Sequence, residues 1–325
     1  MEKNLVIDSQ GRTFKSLRMS ITSACDLACT YCVPSSKREP CHMGELTADQ
    51  FFDSAKLLYE TIGIEKVRLT GGEPLLSKKL ITLLPKLNQL PFKEISLTTN
   101  GQKLAEYAEF LKNNGIQRIN VSLDTLDDIK FREITRGGVI QNTLKGIEKA
   151  LQTGLKIKIK TIPIRGFNDD EIVTILDFCL TRGIELRYIE LMKMGHLSQE
   201  IEFKKQFIPM DELLEKIGEK YEITRKPLEL GSTAERFIVN GNGSFGIIAN
   251  GSSPFCTHCN RLRLSANGFI HGCISSTEKF SMADLLDLPE EEAKEKLIVL
   301  LNQALSSKQA YSFYGSELNM KSLGG

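Results

Sequence analysis

Six short runs rich in Val, Ile, Leu and Thr, alternating with stretches of helical periodicity, constrain the fold of this chain more than any other feature. Residues 17–22, 66–70, 94–98, 118–123, 156–162 and 185–191 read as strands. Between the first two, Phe51, Phe52, Ala55, Leu58 and Tyr59 recur at helical spacing over residues 47–61, with Thr47 as N-cap and Gly63 past the end. Residues 104–113, 142–153 and 170–181 repeat the pattern. Gly115, Gly154 and Gly183 each stand between a helical stretch and the next strand, where a left-handed C-cap belongs. Such alternation implies a parallel sheet with right-handed crossovers, coiled toward a barrel. Six units are fewer than the eight of a closed TIM barrel. The expected class is therefore α/β, an incomplete (β/α)6 TIM-type barrel with an open side and edges to cover.

After about residue 195 the rhythm breaks. A helix over 210–218 precedes strand-like runs at 237–239, 245–248, 261–264 and 269–271, and residues 283–304 are mostly helical. Asn240-Gly241-Asn242-Gly243 and Ala266-Asn267-Gly268 supply turns between the short strands. The expected organisation is a barrel over residues 1–220 and a C-terminal α+β lobe over 221–325 that covers the open side.

Composition narrows the function. The chain has 325 residues, with 42 Lys+Arg against 41 Asp+Glu, a formal net charge of +1. Near-neutrality argues against broad nucleic-acid or membrane-surface binding, but leaves room for a local basic pocket. Residues 1–14 are polar and charged, unlike a signal peptide, and no stretch approaches the roughly 18 apolar residues of a membrane span. The chain reads as cytoplasmic, where clustered cysteines more often hold metal or do redox chemistry than form disulfides. Of eight cysteines, Cys25, Cys29 and Cys32 form one group and Cys256, Cys259 and Cys273 another; Cys41 and Cys179 stand apart.

The first group, C-x3-C-x2-C, follows the first strand. Three thiolates on one loop can ligate three irons of a cube and leave the fourth open for substrate chemistry; a zinc site completed by His42, or redox thiols, are the other readings. The second, C-x2-C-x13-C, could likewise be zinc with His258 or His271. Arg261 and Arg263 come just after Cys259, two apart on a strand-like run, so they share a face and make an anion site beside the metal.

The first loop resembles the radical S-adenosylmethionine (SAM) family, where an aromatic residue precedes the third cysteine, as Tyr31 does here. Gly71-Gly72-Glu73-Pro74, Thr98-Thr99-Asn100-Gly101 and Asn120-Val121-Ser122-Leu123-Asp124 end the second, third and fourth strands in the manner of that family. The resemblance implies a partial barrel of the radical SAM class, with SAM chelated to the open iron and cleaved to methionine and a 5′-deoxyadenosyl radical. Across nearly the whole chain the sequence also resembles the molybdenum-cofactor biosynthesis protein A family, the GTP 3′,8-cyclases. The signature runs from Phe255 through Cys256, Cys259, Arg261, Arg263, Leu264, Ser265 and Gly268 to Cys273; the phrases beginning at Leu17, Val67, Leu97 and Ile119 and the terminal Gly324-Gly325 also match.

This second resemblance implies two 4Fe-4S clusters and SAM as cofactors, with GTP as substrate. Implied GTP contacts are Arg18, Lys66, Arg68, Thr98, Lys158, Arg261 and Arg263, and implied SAM contacts are Tyr31, Gly72, Ser122 and Met192. Arg18, Lys158, Arg187, Gly324 and Gly325 carry the implied catalytic roles. Implied partners are a reductant such as flavodoxin or ferredoxin and a downstream cyclic pyranopterin synthase, with homodimer formation an option and neither membrane nor nucleic acid. A two-cluster enzyme acting on a peptide, and a zinc-stabilised nucleotide-binding module, are the competing readings. Cys41 has no family role, Cys179 reads as a small buried thiol, and Asn267 stands where the family more often has Asp. Residues 195–234 carry no usable motif.

Overall fold

Alternation along the strands sorts side chains onto two faces before any packing is considered. In the computed structural model, which describes residues 6–35, 44–227, 231–241 and 243–323, the strands are β1 (Ser16–Ser20), β2 (Lys66–Thr70), β3 (Glu94–Thr99), β4 (Arg118–Ser122), β5 (Lys156–Thr161) and β6 (Glu185–Ile189). On their outer face Leu17, Met19, Leu69, Leu97, Ile119, Ile159 and Leu186 are fully buried against the helices. Residues between them, such as Arg18, Arg68, Asn120, Lys158 and Arg187, face the lumen.

The helical layer comprises α1 (Ala48–Ile62), α2 (Lys79–Leu87), α3 (Leu104–Asn113), α4 (Asp128–Thr135), α5 (Ile140–Gln152) and α6 (Ile172–Leu180). Helix α1 starts on a capping box, in which Gln50 N donates to Thr47 Oγ1 (3.2 Å) and Thr47 N to Gln50 Oε1 (2.9 Å). Such a cap stabilises by about 1 kcal/mol. The helix ends at Gly63, whose φ of 69° suits glycine.

Beyond β6 lie α7 (Glu200–Gln206), α8 (Met210–Gly218), β7 (Ile223–Arg225), β8 (Glu235–Val239), β9 (Gly243–Ile248), β10 (Arg261–Leu264), β11 (Phe269–His271), β12 (Phe280–Ser281), α9 (Ala283–Leu286) and α10 (Glu290–Ser306). The helix expected over 283–304 is two helices, because Pro289 stands at the N-cap of α10.

All twelve strands form one sheet, in the order β12-β11-β10-β1-β2-β3-β4-β5-β6-β9-β8-β7. Strands β1 to β6 are mutually parallel, β10 adds in parallel to β1, and β9 in parallel to β6. The C-terminal residues therefore continue the barrel's own sheet on both flanks as well as covering its open side, and so cap edges that would otherwise expose unpaired backbone. Among the described residues no helix is long and apolar enough to cross a membrane. Cys41, His42, Gly324 and Gly325 lie outside the described residues.

Candidate active site

The loop after β1 is bolted to its surroundings before any ligand is considered. Gly72 N donates to Thr22 O (2.8 Å) and Glu73 N to Ala24 O (2.8 Å), which ties the loop to the end of β2. A Cβ on Gly71 would lie 2.5 Å from Thr22 O, and one on Gly72 2.3 Å from Ala24 O. With no Cβ, the two glycines let the cysteine loop approach the end of β2 this closely. Glu45 accepts from Ser23 N (2.7 Å) and Ser23 Oγ (2.8 Å) and pairs with Lys79 (2.7 Å). Buried Glu73 accepts from Thr99 Oγ1 (2.7 Å), Asn100 N (2.7 Å) and Leu75 N (3.0 Å). Burial outweighs those bonds and pushes its carboxyl up to about 7. Asn100 Nδ2 then donates to Asp26 Oδ1 (2.8 Å) inside the cysteine loop. Tyr31 Oη donates to Asp124 Oδ2 (2.8 Å), His196 Nε2 lies 2.7 Å from Thr30 O, and Ala28 N donates to Thr135 O (3.1 Å). Contacts from β2, β3, β4, α4 and the residues after β6 thus set where Cys25, Cys29 and Cys32 point.

Below this loop the lumen opens into a cavity of about 640 Å³. Arg18, Lys66, Arg68, Arg118, Lys158, Lys160 and Arg187 enter it from the barrel strands, and Arg236, Arg261, Arg263 and Lys308 from the C-terminal part. Among the described residues, Glu94 and Asp124 are the carboxylates on its wall. Where a closed TIM barrel fills its interior with apolar layers, this one is hollow and cationic. Burial, and then repulsion from Arg263, Arg68 and Arg261, lower the proton affinity of Arg18; burial and Arg118 do the same at Arg68. Buried polar atoms of Thr98 (Oγ1), Arg118 (Nε) and Arg261 (Nη2) have no partner among the described residues. Buried donors are left unsatisfied at a cost of about 1–3 kcal/mol each, so their clustering on one cavity wall marks where a ligand supplies acceptors.

The second cysteine loop lies at the opposite end, ahead of β10. Arg12, paired with Asp8 at 2.6 Å, donates to Cys256 O and to Gln309 O (2.8 Å), which anchors the loop from the N-terminal segment. Lys308 Nζ donates to Arg261 O (3.1 Å) and Gly272 O (2.8 Å) and reaches the Cys259 thiol. Burial opposes ionisation of Cys259, but Lys308 and Arg261 prevail and draw it down to about 6. The Arg261 guanidinium also lies 5.2 Å from the Phe255 ring centre.

The donor sets fit iron–sulfur clusters. All the described cysteines are free thiols, and Cys25, Cys29 and Cys32 share the wall of a small adjoining cavity of about 70 Å³ with Gly71 and Gly72. Burial pushes Cys25 up to about 12, with Cys29 also well above the ordinary thiol value, so thiolates there need a metal's positive charge. Among the described residues no three Cys, His, Asp or Glu side chains converge on a single ion; a cube holds its thiolates on separate irons. The large cavity's wall includes Cys256, Cys259 and Cys273, whereas His258 and His271 are not part of it.

The structure brings together most of the residues singled out in the sequence. Cys25, Cys29, Cys32, Tyr31, Ser122 and Met192 line one end of the cavity, Cys256, Cys259 and Cys273 the other, and Arg18, Lys66, Arg68, Thr98, Lys158, Arg187, Arg261 and Arg263 the space between. Gly72 lines only the small adjoining cavity. Arg118, Lys160 and Arg236 share the wall without having been singled out, although the first two alternate with apolar residues in β4 and β5 as the selected cations do. Arg12 and Lys308 belong to no motif, and no local signal marks them.

Residues 19–179 match the family model for the Radical SAM superfamily, and residues 184–314 match that for Molybdenum Cofactor Synthesis C. A GTP 3′,8-cyclase of Listeria welshimeri is 38% identical over 312 residues, covering 94% of this chain and 91% of that protein. One of Campylobacter fetus is 36% identical over 309 residues, covering 94% and 92%. Among solved structures, Streptococcus suis SuiB bound to its precursor peptide SuiA superposes with a TM-score of 0.65 at 16% identity, covering 92% of this chain and 68% of that one. SuiB bound to S-adenosylmethionine gives 0.59 at 17% identity, covering 84% and 65%. At such identities these two show a shared fold alone. With both family models matched in order and cyclase relatives aligned over almost the full length, the chain belongs to the GTP 3′,8-cyclase family of the radical SAM superfamily.

Proposed function

We propose that this protein cyclises GTP to (8S)-3′,8-cyclo-7,8-dihydroguanosine 5′-triphosphate, the first step of molybdenum cofactor biosynthesis. The observation that carries this reading is the cationic lumen stretched between two thiol triplets. Cys25, Cys29 and Cys32 would hold a cluster that would supply the electron for cleaving SAM, the source of the radical needed to take the ribose 3′ hydrogen of GTP. The chain's own part is to bind, orient and shield. Arg263, Arg18 and Arg68 stand side by side across β10, β1 and β2, and planar guanidinium forks on adjacent strands suit phosphoryl oxygens. GTP carries about four negative charges, which offset the mutual repulsion of these groups. Glu185 holds both Lys158 (2.6 Å) and Arg187 (2.8 Å) in place beside the substrate. Tyr31, fixed by Asp124, with Ser122 and Met192, borders the SAM end, and Thr98 offers its unpaired hydroxyl between the two ends. Holding both reactants in one enclosed cavity keeps the reacting atoms close and water away. The requirement for single electrons supports flavodoxin or ferredoxin as the reductant, and the family's pathway supports a cyclic pyranopterin synthase as consumer of the product.

Anaerobic reconstitution with iron and sulfide, followed by incubation with SAM, reductant and GTP, tests this. About eight irons per chain, with 5′-deoxyadenosine and a GTP-derived product formed together, is the expected result. About four irons with one zinc would remove the second cluster, and 5′-deoxyadenosine without a GTP product would point to another substrate.

A further inference from the structure

Lys158 and Lys160 sit two apart on β5 and share its lumen face, yet their surroundings differ. Lys158 is paired with Glu185 at 2.6 Å. Lys160 is 9% exposed, lines the cavity, and has no side-chain hydrogen bond or ion pair among the described residues. Its neighbours in register are Ser122 on β4 and Arg187 on β6. The charges that act on it come from Arg68, Arg18, Arg187 and Arg261, and burial together with those four pushes its ammonium well below the ordinary lysine range. Asp124, on the cavity wall, is engaged by Tyr31 and Ile162 N, and Glu185, on the adjacent β6, by Lys158 and Arg187. A buried lysine facing four arginines, with no counter-ion among the described residues, destabilises the ligand-free protein. What it lacks is a polyanion.

We propose that Lys160 is a phosphate-binding residue of the nucleotide site, taking a phosphoryl oxygen of the substrate together with Arg187 on the neighbouring strand. The assignment rests on the reading of this cavity as the GTP site. It favours the triphosphate over SAM on charge: the amino-acid end of SAM is a zwitterion and its sulfonium is positive, so SAM adds a net cation to a field already cationic. A triphosphate brings about four negative charges.

The test compares Lys160→Met, which keeps length without charge, and Lys160→Arg in the reconstituted enzyme, by equilibrium binding of GTP, guanosine and SAM and by thermal melting. The Met variant is expected to bind GTP about tenfold or more weakly, with guanosine and SAM affinity unchanged. Its nucleotide-free form should melt at a higher temperature than wild type, because the cost of burying an amine among four arginines has gone. The Arg variant, which keeps the positive charge, should lose less GTP affinity than the Met variant. Equal GTP affinity in wild type and Lys160→Met overturns the assignment, as does a loss of SAM affinity in its place. If the Met variant folds poorly, equal losses of GTP affinity in the Arg variant also overturn it, since charge would then be immaterial. A wild-type enzyme that binds no GTP overturns the reading of the cavity itself, a distinguishable result.

Discussion

At Lys158, burial and the charge of Arg187 bring the ammonium pKa down to about 8, against the opposing pull of Glu185. Glu185 is held at about 2: burial raises it, but Arg187 and Lys158 together lower it further. Lys158 is therefore cationic below about 8 and neutral above, so GTP affinity should fall as pH rises through that value. The sign for stability is opposite. The unfolded lysine keeps its proton up to a higher pH than the folded one, so above about 8 the unfolded state binds more protons and ligand-free stability should rise with pH. Binding and melting measured across the same pH series check both trends, and Lys158→Met should flatten the affinity profile. A wild-type affinity constant through this range would refute the role. At this scale the sequence shows lysines and arginines alternating with apolar residues, and hence which face they share. It does not show that Glu185 reaches Lys158 and Arg187 while no carboxylate among the described residues pairs with Lys160, since such pairing depends on the stagger of neighbouring strands.

At the scale of elements, Gly71 and Gly72 set how closely the cysteine loop approaches β2. A Cβ at Gly72 would sit 2.3 Å from the backbone of Ala24, which cannot rotate aside. Gly72→Ala is expected to displace the loop, destabilise the protein by about 1–3 kcal/mol and reduce reconstituted iron from about eight to about four per chain. Iron analysis with a thermal melt measures both effects; a full iron load in this variant would show that the loop closes without the glycine. The sequence exposes the barrel's strands and the helices with long apolar stripes, such as α1 and α3. It conceals α2, where Pro85 within a nine-residue helix reads as a breaker, and α4, a charged eight-residue helix whose Asp127 cap accepts from Ile129 N and Lys130 N. Short helices of this kind depend on packing rather than on periodicity.

For the molecule as a whole, the C-terminal part does more than cover the barrel. Strands β9 and β10 extend its sheet from opposite edges, and β10 sets Arg263 level with Arg18. The last described residues run back to the first cysteine loop. Ser316 N donates to Lys193 O (3.0 Å), Gly195 N donates to Ser316 O (2.8 Å), Met320 lines the large cavity, and Lys321 lines the small one beside Cys25, Cys29 and Cys32. Removing Gly324 and Gly325 is therefore expected to abolish GTP cyclisation while SAM cleavage continues, as read by the product and 5′-deoxyadenosine from the same reaction. Unchanged turnover in the truncated protein would exclude a role for those residues.

The amino-acid sequence by itself determined the parallel α/β alternation, the two thiol triplets and the cations that share a lumen face, because each follows from spacing along a few adjacent residues. Only the tertiary structure decided that both triplets border one cavity, that Arg12 and Lys308 hold the second cysteine loop, and that Lys160 has no counter-ion among the described residues. Those depend on contacts between residues far apart in the chain, Arg12 with Cys256 and Lys308 with Arg261 among them, and their geometry exists only once the sheet has coiled.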